Sequence, residues 1–413
     1  MDFALIGDHP DGLAMARALV ATSRHRLMLY AGPGAGEEWL RRLPAAFELV
    51  DDVEEALARL EIPCVIVADD IAYRPDVLRR ALQSDKHVLC VHPADLRPDI
   101  AYEAGMIQAD TRKLLLPLLA ERLAPGLTRL DQLVRNGALG PLQVIECERT
   151  LALREGEPWW TWESSPLVAL WDGLRLLGGE VREVSALAAH ADELQPSDPL
   201  TLTGRFEAGT LFRVLLTPGA DGPRGRILVR GARGQAELLS PAGPYGPAQL
   251  RVRDGDGERV EEVPAWDPWP ALAAAFDDAL AGRQPAVTWL DATRCLELFD
   301  AARHSVERER VVPMVYQEFT ETGSFKGIMT ALGCGMLWVV LLLLFIAPWA
   351  PQVLYVIVSL LLLFLVLQLL RWVLPAEAAR RDASAPSPAP RAPLPDHEGT
   401  TGGEPCARGD GSG

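Results

Sequence analysis

The chain predicts a doubly wound α/β parallel sheet, then an α+β domain built on an open antiparallel sheet, then a two-helix transmembrane hairpin. Three observations point there. Short apolar runs alternate with helical spacings through the first third of the chain, beginning with Phe3-Ala4-Leu5-Ile6. Period-two alternation broken by turn residues replaces them from Val181 to Leu239. Between Lys326 and Arg371 no Asp, Glu, Lys or Arg occurs. The implied limits are 1–118 for the first domain, 119–316 for the second, 317–326 for a linker, 327–347 and 353–373 for the spans, and 374–413 for a disordered tail.

With 413 residues, 49% of them hydrophobic, the chain is long enough for two buried cores and further segments. A formal charge of -16 without long basic clusters excludes a nucleic-acid partner, because a phosphate-binding surface needs clustered Lys and Arg. The cysteines (Cys64, Cys90, Cys147, Cys295, Cys334, Cys406) form no C-x-x-C pair and no metal-ligand spacing, so reduced, mostly buried thiols and no metal are expected. Met1-Asp2-Phe3 enters an apolar run without a basic n-region, which does not read as a signal peptide.

Phe3 to Ile6 reads as a strand, Gly7-Asp8-His9-Pro10-Asp11-Gly12 as a turn and Leu13 to Leu19 as a helix, the order of a dinucleotide-binding unit. In the G-x-G-x-x-G pattern Gly7 supplies the tight turn and Gly12 close helix packing, while His9 stands where the second glycine lets a pyrophosphate approach. Asp8 adds a negative charge where the helix N-terminus favours an anion. A strand, turn and helix without nucleotide is the alternative. Arg26 to Ala31 is the second strand, and Tyr30, Ala31 and Gly32 occupy the place of a ribose-binding acid; the next carboxylate is Glu37. Gly32 to Gly36 reads as a flexible loop, and Val53 to Leu60 as a helix capped by Asp51-Asp52. Pro63 to Ala68 is a buried strand ending at Asp69-Asp70, which are either acid/base groups or, more commonly, loop residues and caps. Arg74 to Ser84 is the crossover helix into Lys86-His87-Val88-Leu89-Cys90-Val91-His92-Pro93, a strand whose end faces the ligand cleft.

That last stretch resembles the Lys-His-Val-Leu-Cys-Glu-Lys-Pro segment of the glucose-fructose oxidoreductase and inositol dehydrogenase family (Gfo/Idh/MocA), with Val91 at the Glu and His92 at the Lys. Arg122 to Pro125 resembles the family's Arg-Phe-x-Pro, and Leu133 to Pro141 its linker into the second domain. Ala169 to Gly179 is similar to the His-x-x-Asp-x-x-x-x-Leu-x-Gly helix; Asp172 matches the Asp and Ala169 replaces the His. The resemblance implies a Rossmann-type first domain, NAD or NADP, a sugar, polyol or related alcohol as small-molecule substrate, and dimerisation through one face of the second sheet. The candidate coenzyme contacts it implies are Gly7, Asp8, His9, Gly12, Asp69, Asp70 and His92. His92 and Asp172 are the candidate catalytic pair, and Arg122 and Trp160 the candidate substrate contacts. An imidazole can deliver a proton to an alcohol or ketone oxygen as a lysine does, but it is not a permanent charge; the other reading is a loop histidine in a site that no longer reacts. Asp172 without its histidine is either a base or a helix carboxylate, and the Ala169 methyl carries no proton.

Leu127 to Val134 has amphipathic helical spacing and stops at Asn136-Gly137. Val144 to Glu148 begins the second sheet, continued by Leu200 to Phe206, Thr210 to Leu216 and Ile227 to Val229. Trp159-Trp160-Thr161-Trp162 either stacks on a sugar ring or packs a core or interface. Helices are expected from Asp267 to Leu280 and from Thr288 to Ser305. The charge-free stretch is long enough for two crossings of about 20 residues each. Pro348 and Pro351 divide it into Gly327 to Ala347 and Val353 to Val373, with Trp349 and Trp372 as interfacial anchors. Lys326, Arg371, Arg380 and Arg381 place both termini and the globular domains in the cytoplasm, against a lipid bilayer. Two functions follow: a membrane-anchored NAD(P)-dependent oxidoreductase, or an inactive module that keeps the fold to bind a ligand or protein.

Overall fold

The computed structural model describes residues 1–316 apart from 44–45, 96, 153–165, 189–198 and 220–223. The chain divides into two units, Met1–Thr320 and Glu321–Gly413, and every described residue lies in the first. Both expected membrane spans, the tail and Trp160 fall outside the described residues. Among the described residues no helix is long and apolar enough to cross a membrane.

The first sheet is built from β1 (Asp2–Ile6), β2 (Arg26–Ala31), β3 (Glu48–Val50), β4 (Cys64–Val67), β5 (His87–Val91) and β6 (Leu115–Leu118). Their order is β3-β2-β1-β4-β5-β6, every pair parallel, which is the Rossmann arrangement with its switch point between β1 and β4. The linking helices are α1 (Pro10–Ala21), α2 (Gly34–Leu40), α3 (Val53–Ala58), α4 (Arg74–Gln83) and α5 (Asp99–Thr111). The strands are apolar throughout because both faces are covered: Ala4, Ile6, Val65, Val67, Val88 and Cys90 enter one core and Phe3, Leu5, Ile66, Leu89 and Val91 the other.

The second sheet follows α6 (Pro125–Arg135). It holds β7 (Leu142–Ala152), β8 (Val181–Ala188), β9 (Leu200–Phe206), β10 (Leu211–Gly219), β11 (Arg224–Gly231), β12 (Gln235–Ser240), β13 (Ala248–Asp254), β14 (Gly257–Val263) and β15 (Val312–Pro313). The order is β14-β13-β12-β11-β7-β10-β9-β8-β15. This sheet is mixed where the sequence suggested a purely antiparallel one: β10 lies parallel to β7. The reason is α7 (Pro166–Gly178), a crossover after β7, so that the β8-β9-β10 meander brings β10 back alongside β7 in the same direction.

Two further helices tie the halves together. From α8 (Pro268–Leu280), Leu272, Ala273 and Phe276 pack into the core holding Phe3 and Leu5, and Asp277 accepts from His25 at 2.8 Å. From α9 (Trp289–Arg308), Trp289 and Leu296 enter the core with Val88 and Ala101, and the Trp289 indole donates to Ala101 O at 2.8 Å. The start of α9 carries a capping box, Thr288 with Asp291. One expected loop is a helix. Gly34 to Gly36 open α2 because Tyr30 fills the space beneath: its hydroxyl donates to Pro33 O at 2.8 Å, and a Cβ on Gly36 would stand 2.1 Å from that hydroxyl. A tertiary contact there overrides glycine's poor helix propensity.

Gly7 has φ +92, and a Cβ there would lie 2.2 Å from Ala68 O. Gly7→Ala is expected to lower stability by roughly 1–3 kcal/mol from backbone strain, with more from the clash. Urea unfolding followed by circular dichroism measures it.

Candidate active site

The carboxyl ends of β1, β4 and β5 meet around one buried cation. Ala68 N donates to Ile6 O at 2.7 Å and His9 N to Ala68 O at 3.0 Å, which draws the turn after β1 onto the end of β4. A Cβ on Gly12 would stand 2.1 Å from Ala68 Cβ, so the helix start can lie this close to the end of β4 only with glycine there. His9 is the N-cap of α1, and its Nδ1 accepts from Asp11 N at 3.2 Å. Burial, then the Arg74 charge, pushes its pKa down to about 4, with Asp70 acting in the opposite sense. Asp11 is raised by burial, against the pull of Arg74.

Arg74, 1% exposed, opens α4. Its Nε donates to Asp69 O at 3.0 Å and its Nη1 to Pro93 O at 2.6 Å, so one guanidinium ties the loop after β4 to the loop after β5. Pro93 follows His92, whose two ring nitrogens are buried without a hydrogen-bond partner. Burial first and Arg74 second push the His92 pKa down to about 3, so the imidazole is neutral. Asp69 and Asp70 serve the local backbone: Asp69 accepts from Asp70 N at 2.9 Å, and Asp70 from Ala72 N at 2.8 Å. Tyr30 lies beside Asp8, Glu37 and Asp69; burial, then these charges, raise its hydroxyl.

The structure joins the other two candidates to each other. Asp172 is fully buried and accepts from Arg122 Nε at 2.9 and 2.8 Å. Arg122 also donates to Asp291 at 2.9 Å and to Ala286 O at 3.2 Å, while Arg175 joins Asp291 at 3.2 Å and Glu180 at 2.6 Å. Burial raises Asp172 and Arg122 opposes it. Ala169 sits one turn before it in α7, partly buried.

Arg74, Arg149, Glu121 and Tyr245 escaped the sequence reading as site residues. Arg149 shares the inward face of β7 with buried Ile145 and Cys147, and pairs with Glu121, which follows β6; they are 8% and 4% exposed. A charge at an inward register position was the available signal. Because Leu118 pairs with Val91, the chain leaves β6 for Glu121 beside the point where β5 delivers His92. Tyr245 is exposed at 42% yet stands within electrostatic reach of Asp11 and Arg149: desolvation of its hydroxyl and then Asp11 raise its pKa, and Arg149 counters. A cavity of about 640 Å³ adjoins Arg149, lined by Thr150, Thr217, Arg226, Leu239 and Pro247 among others. Among the described residues no cluster of His, Cys, Asp or Glu is arranged to hold a metal ion, and Cys64, Cys90, Cys147 and Cys295 are buried free thiols.

Neither a family model nor any curated protein matches the chain by sequence. Solved structures do. Levoglucosan dehydrogenase in complex with NADH and levoglucosan superposes with a TM-score of 0.66 at 17% identity, over 76% of this chain and 100% of that one. Aldose-aldose oxidoreductase from Caulobacter crescentus, complexed with glycerol, gives 0.65 at 17%, over 76% and 99%. An oxidoreductase from Agrobacterium radiobacter with NAD+, L-tartaric acid and magnesium gives 0.66 at 14%, over 76% and 98%. At these identities the shared property is the fold alone, the parallel sheet followed by the mixed sheet.

The histidines make acid stability a test of this geometry. A group whose folded pKa is depressed contributes stability that is intact above its ordinary value of 6.5 and is lost as pH falls; for His92 the loss runs from there towards about 3. His92→Leu removes two buried unpartnered nitrogens and is expected to stabilise by about 1–2 kcal/mol at pH 7. It should also make the decline in stability below pH 6.5 shallower, as read by urea unfolding at pH 7, 6 and 5.

Proposed function

We propose that this protein is an NAD(P)-dependent oxidoreductase acting on a sugar, polyol or related alcohol and held at a membrane by its C-terminal hairpin. The observation carrying the proposal is the juxtaposition, at the carboxyl edge of a Rossmann-ordered sheet, of the Gly7–Gly12 turn with a buried cation and an unpartnered histidine. The residues fit a dinucleotide in three respects. Gly7 and Gly12 keep a cradle that a Cβ would fill, Arg74 places positive charge behind the turn, and the His92 nitrogens lack the partner that buried polar groups require. Bound NAD or NADP would supply the hydride acceptor or donor. The chain's part is proton handling and positioning: neutral His92 accepts a proton from an alcohol oxygen, and in the reverse direction the imidazolium returns that proton to a ketone; fold neighbours solved with NAD+ and with NADH support the coenzyme.

Asp172 is assigned a positioning role, since its carboxylate is committed to Arg122, and Arg122 holds the start of α9 through Asp291. The pair Glu121–Arg149 stands between this edge and the second sheet, where it can orient a hydroxylated ligand. The exposed face of β7 to β14 is proposed as the surface between copies of the chain. A second reading, an inactive binding module, is favoured by His9 at the second glycine position and by Ala169 at the histidine position of the resembling family.

Titration of the full-length protein with NAD(H) and NADP(H) decides between the readings. Micromolar binding with alcohol-dependent turnover, reduced a hundredfold or more in His92→Ala, is the expected result; no binding of either coenzyme leaves the binding module. For the tether, the chain is expected to sediment with membranes, to resist salt washing and to be released by deletion of residues 327–373.

A further inference from the structure

We propose that His9 is a gate on the dinucleotide site: its imidazole occupies the α1 amide that a pyrophosphate would take, so the coenzyme binds only in exchange for this cap. The inference rests on the coenzyme reading above and adds what sets the affinity of that site. A helix N-terminus attracts phosphate through its unpaired N–H groups, and the first turn of α1 has few to give. Pro10 has none, Asp11 N donates to His9 Nδ1 at 3.2 Å, and Leu13 N is bonded within the helix to His9 O at 3.1 Å. That leaves Gly12 as the residue of the turn whose N–H none of these bonds uses.

The cap requires a neutral ring with its lone pair on Nδ1 and its proton on Nε2. Burial and the Arg74 charge favour the neutral ring at neutral pH, and the Asp11 N–H donating to Nδ1 selects the Nε2–H tautomer. The backbone need not move to release it: His9 has φ -55 and ψ 133, an ordinary conformation anchored by His9 N on Ala68 O, so rotation of the side chain alone frees Asp11 N. The geometry therefore makes the ring a stand-in for a phosphate oxygen. A glycine at this position, as the G-x-G-x-x-G pattern has it, would leave the amide open.

The test compares wild type, His9→Gly and His9→Ala, each as the full chain, by calorimetric and fluorescence titration with NADH and NADPH. Both variants keep the backbone conformation accessible and lose the competing acceptor. A regained charge-assisted hydrogen bond corresponds to tightening of Kd by about ten- to a hundredfold. In the wild type, ¹⁵N spectra of the imidazoles should show His9 as the Nε2–H tautomer, with its Nδ1 resonance shifting on saturation with NADH. Wild-type binding with Kd unchanged or weakened in both variants, or a His9 resonance unmoved at saturation, overturns the gate and leaves the coenzyme reading standing. Wild type and variants that all fold, by their unfolding transitions, yet bind neither coenzyme overturn both.

Discussion

The guanidinium of Arg74 is the constraint on which the mouth of the first domain depends. Loops at the carboxyl ends of neighbouring parallel strands carry the ligand chemistry of such sheets, but nothing in the strand ladder positions them. Arg74 does so by donating to a carbonyl on each, Asp69 O and Pro93 O. Two carbonyl dipoles accept from this buried cation, and the arrangement leaves a positive centre behind two histidines. Removing it would leave two carbonyls unpartnered and the two loops unconnected.

Burial first, and the same cation second, explain why His9 and His92 behave alike while standing on different loops. Each imidazole is desolvated and each feels Arg74, so both are held neutral. Their hydrogen bonding then separates them. His9 spends a lone pair on the backbone of α1, whereas His92 has neither nitrogen engaged. One histidine thus has a backbone partner within the chain, and the other has none among the described residues. This division is consistent with a site in which an affinity-setting group and a proton-carrying group are distinct.

Much of the fold was legible because both faces of the first sheet are covered, so its strands read as uninterrupted apolar runs: Arg26 to Ala31 is recovered to the residue and His87 to Val91 ends where expected. The glycine pattern likewise announced the turn at Gly7 and Gly12. What was not legible depends on partners distant in sequence. Arg122 and Asp172 are fifty positions apart, so nothing local says that the two bind each other. Arg74 gave only a faint signal, a cation in the first turn of a helix where the dipole disfavours it. The α2 helix depended on Tyr30 filling the space under Gly36, and a glycine-rich stretch carries no mark of what will pack beneath it.

The placement of α8 and α9 bears on biogenesis. Phe276 and Trp289 complete the cores on either side of the first sheet, yet they are made long after β6 has left the ribosome. At ordinary elongation speeds of about 5–20 residues per second, the nascent amino-terminal half waits roughly ten to thirty seconds with apolar surface uncovered. That interval is one in which a chaperone has something to hold, and it ends shortly before the charge-free carboxyl-terminal stretch emerges.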